Sequence, residues 1–272
     1  GDILFPKTDN WEEMHGDIEF QDVNFFYKEG EPILKDFNLK VKKGDNIALV
    51  GETGSGKSTI VNLLCRFYEP NNGKILIDGV DYKERSQSWL HSNLGYVLQS
   101  PHLFSGTIID NIRYGNNSIS DEEVIESAKL VNAHNFIMKL ENGYYTEVGE
   151  GGAMLSTGEK QLISFARAII SKPKLFVLDE ATSSIDTETE ALIQDAIHKV
   201  LEGRTSFVIA HRLSTIRNAD KILVIKKGIV VESGTHHELL SQKGYYYKLY
   251  MKQFVEEKES EIFGRHYEAV NN

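Results

Sequence analysis

Residues 46–67, NIALVGETGSGKSTIVNLLCRF, decide the fold. Five mostly apolar residues, Asn46 to Val50, have the length of a buried strand and run into a turn with glycines at 51, 54 and 56. After Lys57 and Ser58 the pattern turns helical, with Ile60, Val61, Leu63 and Leu64 on a 3.6-residue period. Gly51, Gly56, Lys57 and Ser58 fit G-x-x-x-x-G-K-[ST] in a strand-then-helix context. Glycines let backbone N–H groups point inward around a phosphate chain, at the positive end of a helix. Lys57 would reach the β- and γ-phosphates, and the Ser58 hydroxyl would bind Mg²⁺. A glycine-rich turn that merely holds a lysine does not require this context. The stretch reads as a nucleoside-triphosphate site.

The rest of the chain is compatible with that reading. Its 272 residues can bury a full core, and a composition of 40% hydrophobic and 26% charged residues is ordinary for a globular protein. Forty acidic against 30 basic residues give a net charge of −10, which argues against a general nucleic-acid binder. Cys65 is the one cysteine, which excludes an intrachain disulfide and a cysteine-based metal site. No run approaches the ~18 apolar residues of a membrane helix, and residues 1–16 do not resemble a signal peptide.

Residues 1–16 are polar and irregular and read as a linker. Alternation at Ile18, Phe20, Val23, Phe25 and Tyr27, then over 37–41 and 73–79, predicts a small antiparallel sheet leaning on the phosphate-loop core. Residues 105–170 read as a mostly helical insertion, with a capping-box spacing at Ser120 and Glu123. Lys174–Glu180 is a buried-type strand ending in two carboxylates, followed by a helix over 187–201, a strand over 204–211 and a hairpin around Lys227-Gly228. Strands alternating with helices imply an α/β fold with a largely parallel sheet. The tail from about 255 is charged and is expected to fray.

A triphosphate site needs a second metal-organising carboxylate, and Asp179 at a strand end is where one belongs. Glu180 beside it would polarise a water for attack on the γ-phosphate. His211 also ends a strand and would donate to that phosphate, and Tyr27 would stack on a base. Gln99 is weak evidence by itself. The stretch Leu155-Ser-Thr-Gly-Glu-Lys-Gln161 opens an apolar helix. Ser156 and Glu159 have capping-box spacing, yet a helix start rich in Ser and Gly is also an anion site. Two phosphate-binding helix ends need not meet at one nucleotide within one protomer.

Taken in order, Gly51–Ser58, Gln99, Leu155–Gln161, Asp179–Asp186 and His211 resemble the Walker A, Q-loop, signature, Walker B with D-loop, and H-loop of an ATP-binding-cassette (ABC) ATPase. The resemblance covers residues 17 to about 252, and implies an ABC ATPase domain over 17–254. The stretches 66–70, 103–108, 146–150 and 210–215 are similar to the exporter branch that includes multidrug-resistance transporters. It implies a P-loop NTPase (RecA-like) core with an antiparallel β subdomain and a helical insertion at about 105–170. Residues 1–16 would be the linker from an upstream transmembrane domain, and 255–272 a charged tail. The implied function is ATP hydrolysis powering export through a head-to-tail dimer that sandwiches two Mg-ATP.

In that arrangement Tyr27 and Ile33 would meet adenine, and Thr53, Gly54, Ser55, Gly56, Lys57, Ser58 and Thr59 would hold the phosphates. Ser58, Gln99 and Asp179 would organise Mg²⁺, and Glu180, His211 and Gln99 would serve catalysis. Ser156, Gly158 and Glu159 would serve the partner's ATP, which explains the second helix end, and Asp186 would lie at the dimer interface. Residues 99–108 and 146–151 would meet the transmembrane domain, placing this domain on the cytosolic or organelle-matrix side. Two departures stand out: Thr157 replaces the first glycine of the usual signature, and Gly151 stands where exporters commonly carry Arg. A β-branched Thr157 would be strained if its position required positive φ. The rival reading is a soluble ABC ATPase acting on ribosomes or DNA; the acidic charge and exporter-like stretches disfavour it.

Overall fold

The structure is a computed structural model that describes residues 12–99, 101–114, 116–180 and 185–270. Along the chain, β1 (Ile18–Phe26) and β2 (Pro32–Val41) precede β3 (Asn46–Val50) and α1 (Lys57–Leu64). Then come β4 (Asn72–Ile77), β5 (Val80–Asp81), α2 (Gln87–Ser92), β6 (Leu94–Val97) and β7 (Gly106–Thr107). The helical insertion carries α3 (Ile108–Arg113), α4 (Asp121–Leu130), α5 (His134–Lys139), β8 (Glu147–Val148) and α6 (Thr157–Ile169). The last part holds β9 (Leu175–Asp179), α7 (Thr187–Leu201), β10 (Thr205–Ile209), α8 (Leu213–Asn218), β11 (Lys221–Lys226), β12 (Ile229–Gly234), α9 (His236–Gln242) and α10 (Tyr245–Val270).

Two sheets organise these elements. The larger has the order β12-β11-β3-β10-β9-β6, parallel throughout except for the antiparallel edge strand β12. Its inner strands read as continuous apolar runs because both faces are covered: β9 and β10 are almost wholly buried. The smaller sheet, β2-β1-β4-β5, is antiparallel, and β1 alternates buried and half-buried residues as a strand with one covered face must. Side chains from alternate positions of β3 and β9 enter two cores. Ala48, Val50, Phe176 and Leu178 face the helical insertion, and Ile47, Leu49, Leu175 and Val177 face the antiparallel sheet and α1. The expected α/β architecture is therefore observed.

One boundary differs from the sequence reading. Residues 12–16 are not linker but part of the folded unit: Met14 is fully buried among the residues beneath the antiparallel sheet. The Trp89 indole N–H donates to the Glu12 carbonyl at 2.6 Å, and the Arg85 guanidinium pairs with the Glu12 carboxylate at 2.9 Å. The Thr205 hydroxyl donates to the Gly16 carbonyl at 2.8 Å, with the Gly16 backbone at φ +110°. These partners are distant in sequence, so no local periodicity announces them. At the other end, α10 runs through the charged tail as far as Val270. Residues 1–11 lie outside the described ones. Among the described residues no helix is long and apolar enough to cross a membrane.

Candidate nucleotide site

Parallel pairing gathers the predicted residues by geometry. Leu49 of β3 and Asp179 of β9 both register with Ile209 of β10, and Leu178 registers with Val97 of β6. The segments leaving these strands therefore emerge at one edge of the sheet, where α/β folds place ligands. They are the glycine loop, Gln99, the Asp179-Glu180 pair and His211. Backbone bonds from Glu180 N–H to the Ile209 carbonyl and from Ala210 N–H to the Leu49 carbonyl tie the exits together.

The loop from Gly51 to Ser58 has the character of an anion cradle. Gly51, Gly54 and Gly56 all have positive φ, at 153°, 79° and 112°. Gly56 is the N-cap of α1, has no side chain with which to cap it, and is followed by no acidic residue in the first turn. The first-turn amides of α1 are thus left to an incoming anion at the positive end of the helix. Thr53, Gly54 and Ser58 are exposed, whereas Ser55, Lys57 and Thr59 are buried. The buried Ser55 hydroxyl has no hydrogen-bond partner among the described residues. The Lys57 ammonium donates to the Gly51 carbonyl, and its pKa is lowered by burial, opposed by attraction to Asp179. Asp179 is raised by burial and pulled back down by Lys57.

Tyr27 and Ile33 approach this loop from the antiparallel sheet. The half-exposed Tyr27 shares a hydrogen bond with the Thr59 hydroxyl at 3.1 Å, and its ring stands edge-on to Phe25 and Tyr68. Half-buried Ile33 abuts Gly228, whose N–H donates to the Ser55 carbonyl at 2.8 Å. The hairpin turn between β11 and β12 thus braces the loop, a contact the sequence reading did not anticipate. Its only sequence signal is the glycine at 228.

Glu180 is buried, and three donors hold its carboxylate: the backbone N–H groups of His211 and Arg212, and the Thr215 hydroxyl. Burial raises its pKa to about 7, against the lowering effect of those bonds. His211 Nε2 lies 4.0 Å from Asp179 Oδ1, and burial with nearby Lys57 and Arg212 lowers its pKa to about 4, so it is neutral at pH 7. Arg212 and Thr215 were quoted in the sequence only as part of the stretch 210–215. Their bonds to Glu180 are what that stretch does here. Gln99 is half-buried just beyond β6.

The donor set fits magnesium in its usual protein setting. Mg²⁺ takes one or two protein oxygens and completes its shell with phosphate and water, so the Ser58 hydroxyl and the Asp179 carboxylate are the oxygens that would hold it. Among the described residues no cluster of three His, Cys, Asp or Glu offers an alternative all-protein site.

The second helix start is built differently. The Ser156 hydroxyl accepts from Glu159 N–H at 3.1 Å, and the Glu159 carboxylate accepts from Ser156 N–H at 2.9 Å, closing a capping box on α6. Gly158 is buried against α7, where an added Cβ would stand 2.4 Å from Thr189 Cγ2. An added side chain here would force the Thr189 side chain to move, so packing favours this glycine independently of any ligand. Thr157 is the first residue of α6, is exposed, and is absent from the positive-φ residues, so the strain considered above does not arise. Thr157→Gly is expected to change stability by less than about 1 kcal/mol, the scale of helix propensity; urea unfolding measures it. Asp186 caps α7, accepting from Thr189 N–H at 2.9 Å, and is exposed. Residues 181–184 of the expected Walker B and D-loop stretch lie outside the described residues. Gly151, exposed at φ +77°, has open space around it. β7 pairs with β8, Gly106 opposite Val148 and Thr107 opposite Glu147, which joins one short piece of each of the two exporter-like stretches.

Comparison with known proteins bears on the family. Residues 34–183 match the family model described as ABC transporter. The chain is 54% identical over 261 residues to the uncharacterized ABC transporter ATP-binding protein YfiC of Bacillus subtilis, covering 93% of this chain and 43% of that one. It is 52% identical to the probable multidrug resistance ABC transporter ATP-binding/permease protein YheH of the same organism, covering 88% and 35%. Identity to the fatty acid ABC transporter ATP-binding/permease protein of Mycobacterium bovis is 50%, covering 87% and 37%. The chain thus spans well under half the length of these relatives.

Proposed function

Because the chain belongs to the ABC transporter family, whose ATP-binding domains hydrolyse ATP to power transport, we propose that it is the ATP-hydrolysing domain of a membrane exporter. The observation that carries this is the convergence of Lys57, Asp179, Glu180 and His211 at one sheet edge beside an α1 start left uncapped. Lys57 and the loop amides bind the β- and γ-phosphates, with Thr53 to Thr59 following the chain and Tyr27 and Ile33 against the base. Ser58, Gln99 and Asp179 hold Mg²⁺, which when bound neutralises phosphate charge. Glu180 orients and deprotonates the attacking water, and neutral His211 donates to the γ-phosphate.

Ser156, Gly158 and Glu159 close on the ATP of a second nucleotide-binding domain, with Asp186 at the interface between the two. The stretches 99–108 and 146–151 dock on the transmembrane domain, which lies in a membrane with this domain on its cytosolic or organelle-matrix side. The −10 charge and the permease names of the relatives support an exporter over a soluble ATPase acting on ribosomes or DNA. Light scattering of the Glu180→Gln chain tests the pairing. A mass that doubles on adding Mg-ATP supports a like-with-like sandwich. A nucleotide-saturated monomer at every concentration overturns self-pairing in favour of an unlike partner.

A further inference from the structure

The Thr215 hydroxyl has one proton and two acceptors within reach. It donates to Glu180 Oε2, and Gln194 Oε1 lies 3.3 Å away as a second acceptor. That second acceptor is held in place. Gln194 Nε2 donates to Glu190 Oε1 at 3.1 Å, and Gln194 Oε1 accepts from the Ser214 hydroxyl at 2.8 Å. Glu190 also pairs with Arg212 at 3.4 Å, and the Arg212 backbone N–H is itself a donor to Glu180. The side chains of α7 thus set the position of the groups on α8, and just before it, that hold the carboxylate.

A buried hydroxyl with a single acceptor cannot give it up without leaving a proton unpaired, which is costly. With two acceptors it can hand over. We propose that Thr215 is a two-position switch for Glu180: turned to Glu180 it keeps the carboxylate retracted, and turned to Gln194 it frees the carboxylate for the γ-phosphate. Thr215 and Gln194 are positioning residues in this scheme, and the scheme rests on Glu180 being the general base.

The test is a double-mutant cycle on steady-state Mg-ATP hydrolysis by the full chain, reading kcat and KM separately. Gln194→Leu removes the second acceptor and is expected to lower kcat about tenfold with KM within about twofold. Thr215→Val removes the hydroxyl that retracts the carboxylate, so it is expected to raise kcat about two- to threefold, and Thr215→Ser restores the original behaviour. In the Thr215→Val background Gln194→Leu is expected to change kcat by less than about twofold, because no hydroxyl is left to satisfy. Equal loss from Gln194→Leu in both backgrounds overturns the switch, as does no loss in either or a Thr215→Val chain no faster than the original. Should Thr215→Val not fold, Thr215→Ala serves the same arm. Glu180→Gln run alongside separates the two failures: if it still turns over, the general-base assignment falls; if it is dead and the cycle is additive, only the switch does.

Discussion

Glu180→Gln is expected to lower ATP turnover at least a hundredfold while leaving nucleotide affinity within about threefold, the loss associated with a general base. It is also expected to make the chain more stable, and only at neutral to alkaline pH. The carboxyl is buried with a pKa raised from 4.5 to about 7. Between those two values the folded chain binds the proton that the unfolded chain has released. The stability contributed by the neutral acid is therefore complete below about pH 4.5 and is lost as the pH rises through about 7. At pH 8 the buried anion costs on the order of 3 kcal/mol relative to its ordinary pKa. An amide removes that cost and keeps the bonding: its oxygen accepts from His211 and Arg212 N–H, and its NH₂ donates to the Thr215 oxygen. Urea unfolding at pH 5 and pH 8 measures the difference. A gap that widens toward pH 8 is the expected result; an equal gap at both places the carboxyl outside its buried site.

Residues 46–67 carried much of the site, because a strand, a glycine turn and an amphipathic helix are local features with local physical causes. The parallel order of the sheet follows from alternating strands and helices, and that order alone brings Asp179, Glu180 and His211 to the loop. What stayed hidden is tertiary. Met14 lies in a polar stretch and is buried only because the underside of the antiparallel sheet covers it. Gly158 reads as an anion-site glycine, yet it is also packed against the Thr189 side chain of a neighbouring helix, which a Cβ would have to displace. Glu180 was recognised as an acid at a strand end, but its retraction onto Thr215 depends on a rotamer and on partners about thirty positions away. Spacing rules describe where the chain goes and say little about which hydroxyl a buried carboxylate selects.

Gly228→Ala is the second change with a large expected effect, because two separable costs meet there. The residue has φ +75°, a conformation that costs an L side chain about 1–2 kcal/mol. An added Cβ would also stand 1.8 Å from the Ile33 carbonyl oxygen, and backbone cannot yield as a flexible side chain does. Overpacking of this kind adds about 1–3 kcal/mol. The movement that relieves it pulls either β2 or the β11–β12 turn away, and the bond from Gly228 N–H to the Ser55 carbonyl goes with the turn. Stability should therefore fall by about 2–5 kcal/mol. ATP affinity should fall about tenfold or more, the equivalent of one good hydrogen-bonded contact in the loop. Gly203→Ala is the control: Gly203 has nearly the same φ, +74°, and nothing within 4 Å of the added carbon. It should show the conformational cost alone and bind ATP normally. If the two variants match in unfolding free energy and in ATP affinity, the hairpin does not brace the phosphate loop. If Gly228→Ala alone loses affinity, the antiparallel edge of the sheet is part of the nucleotide site.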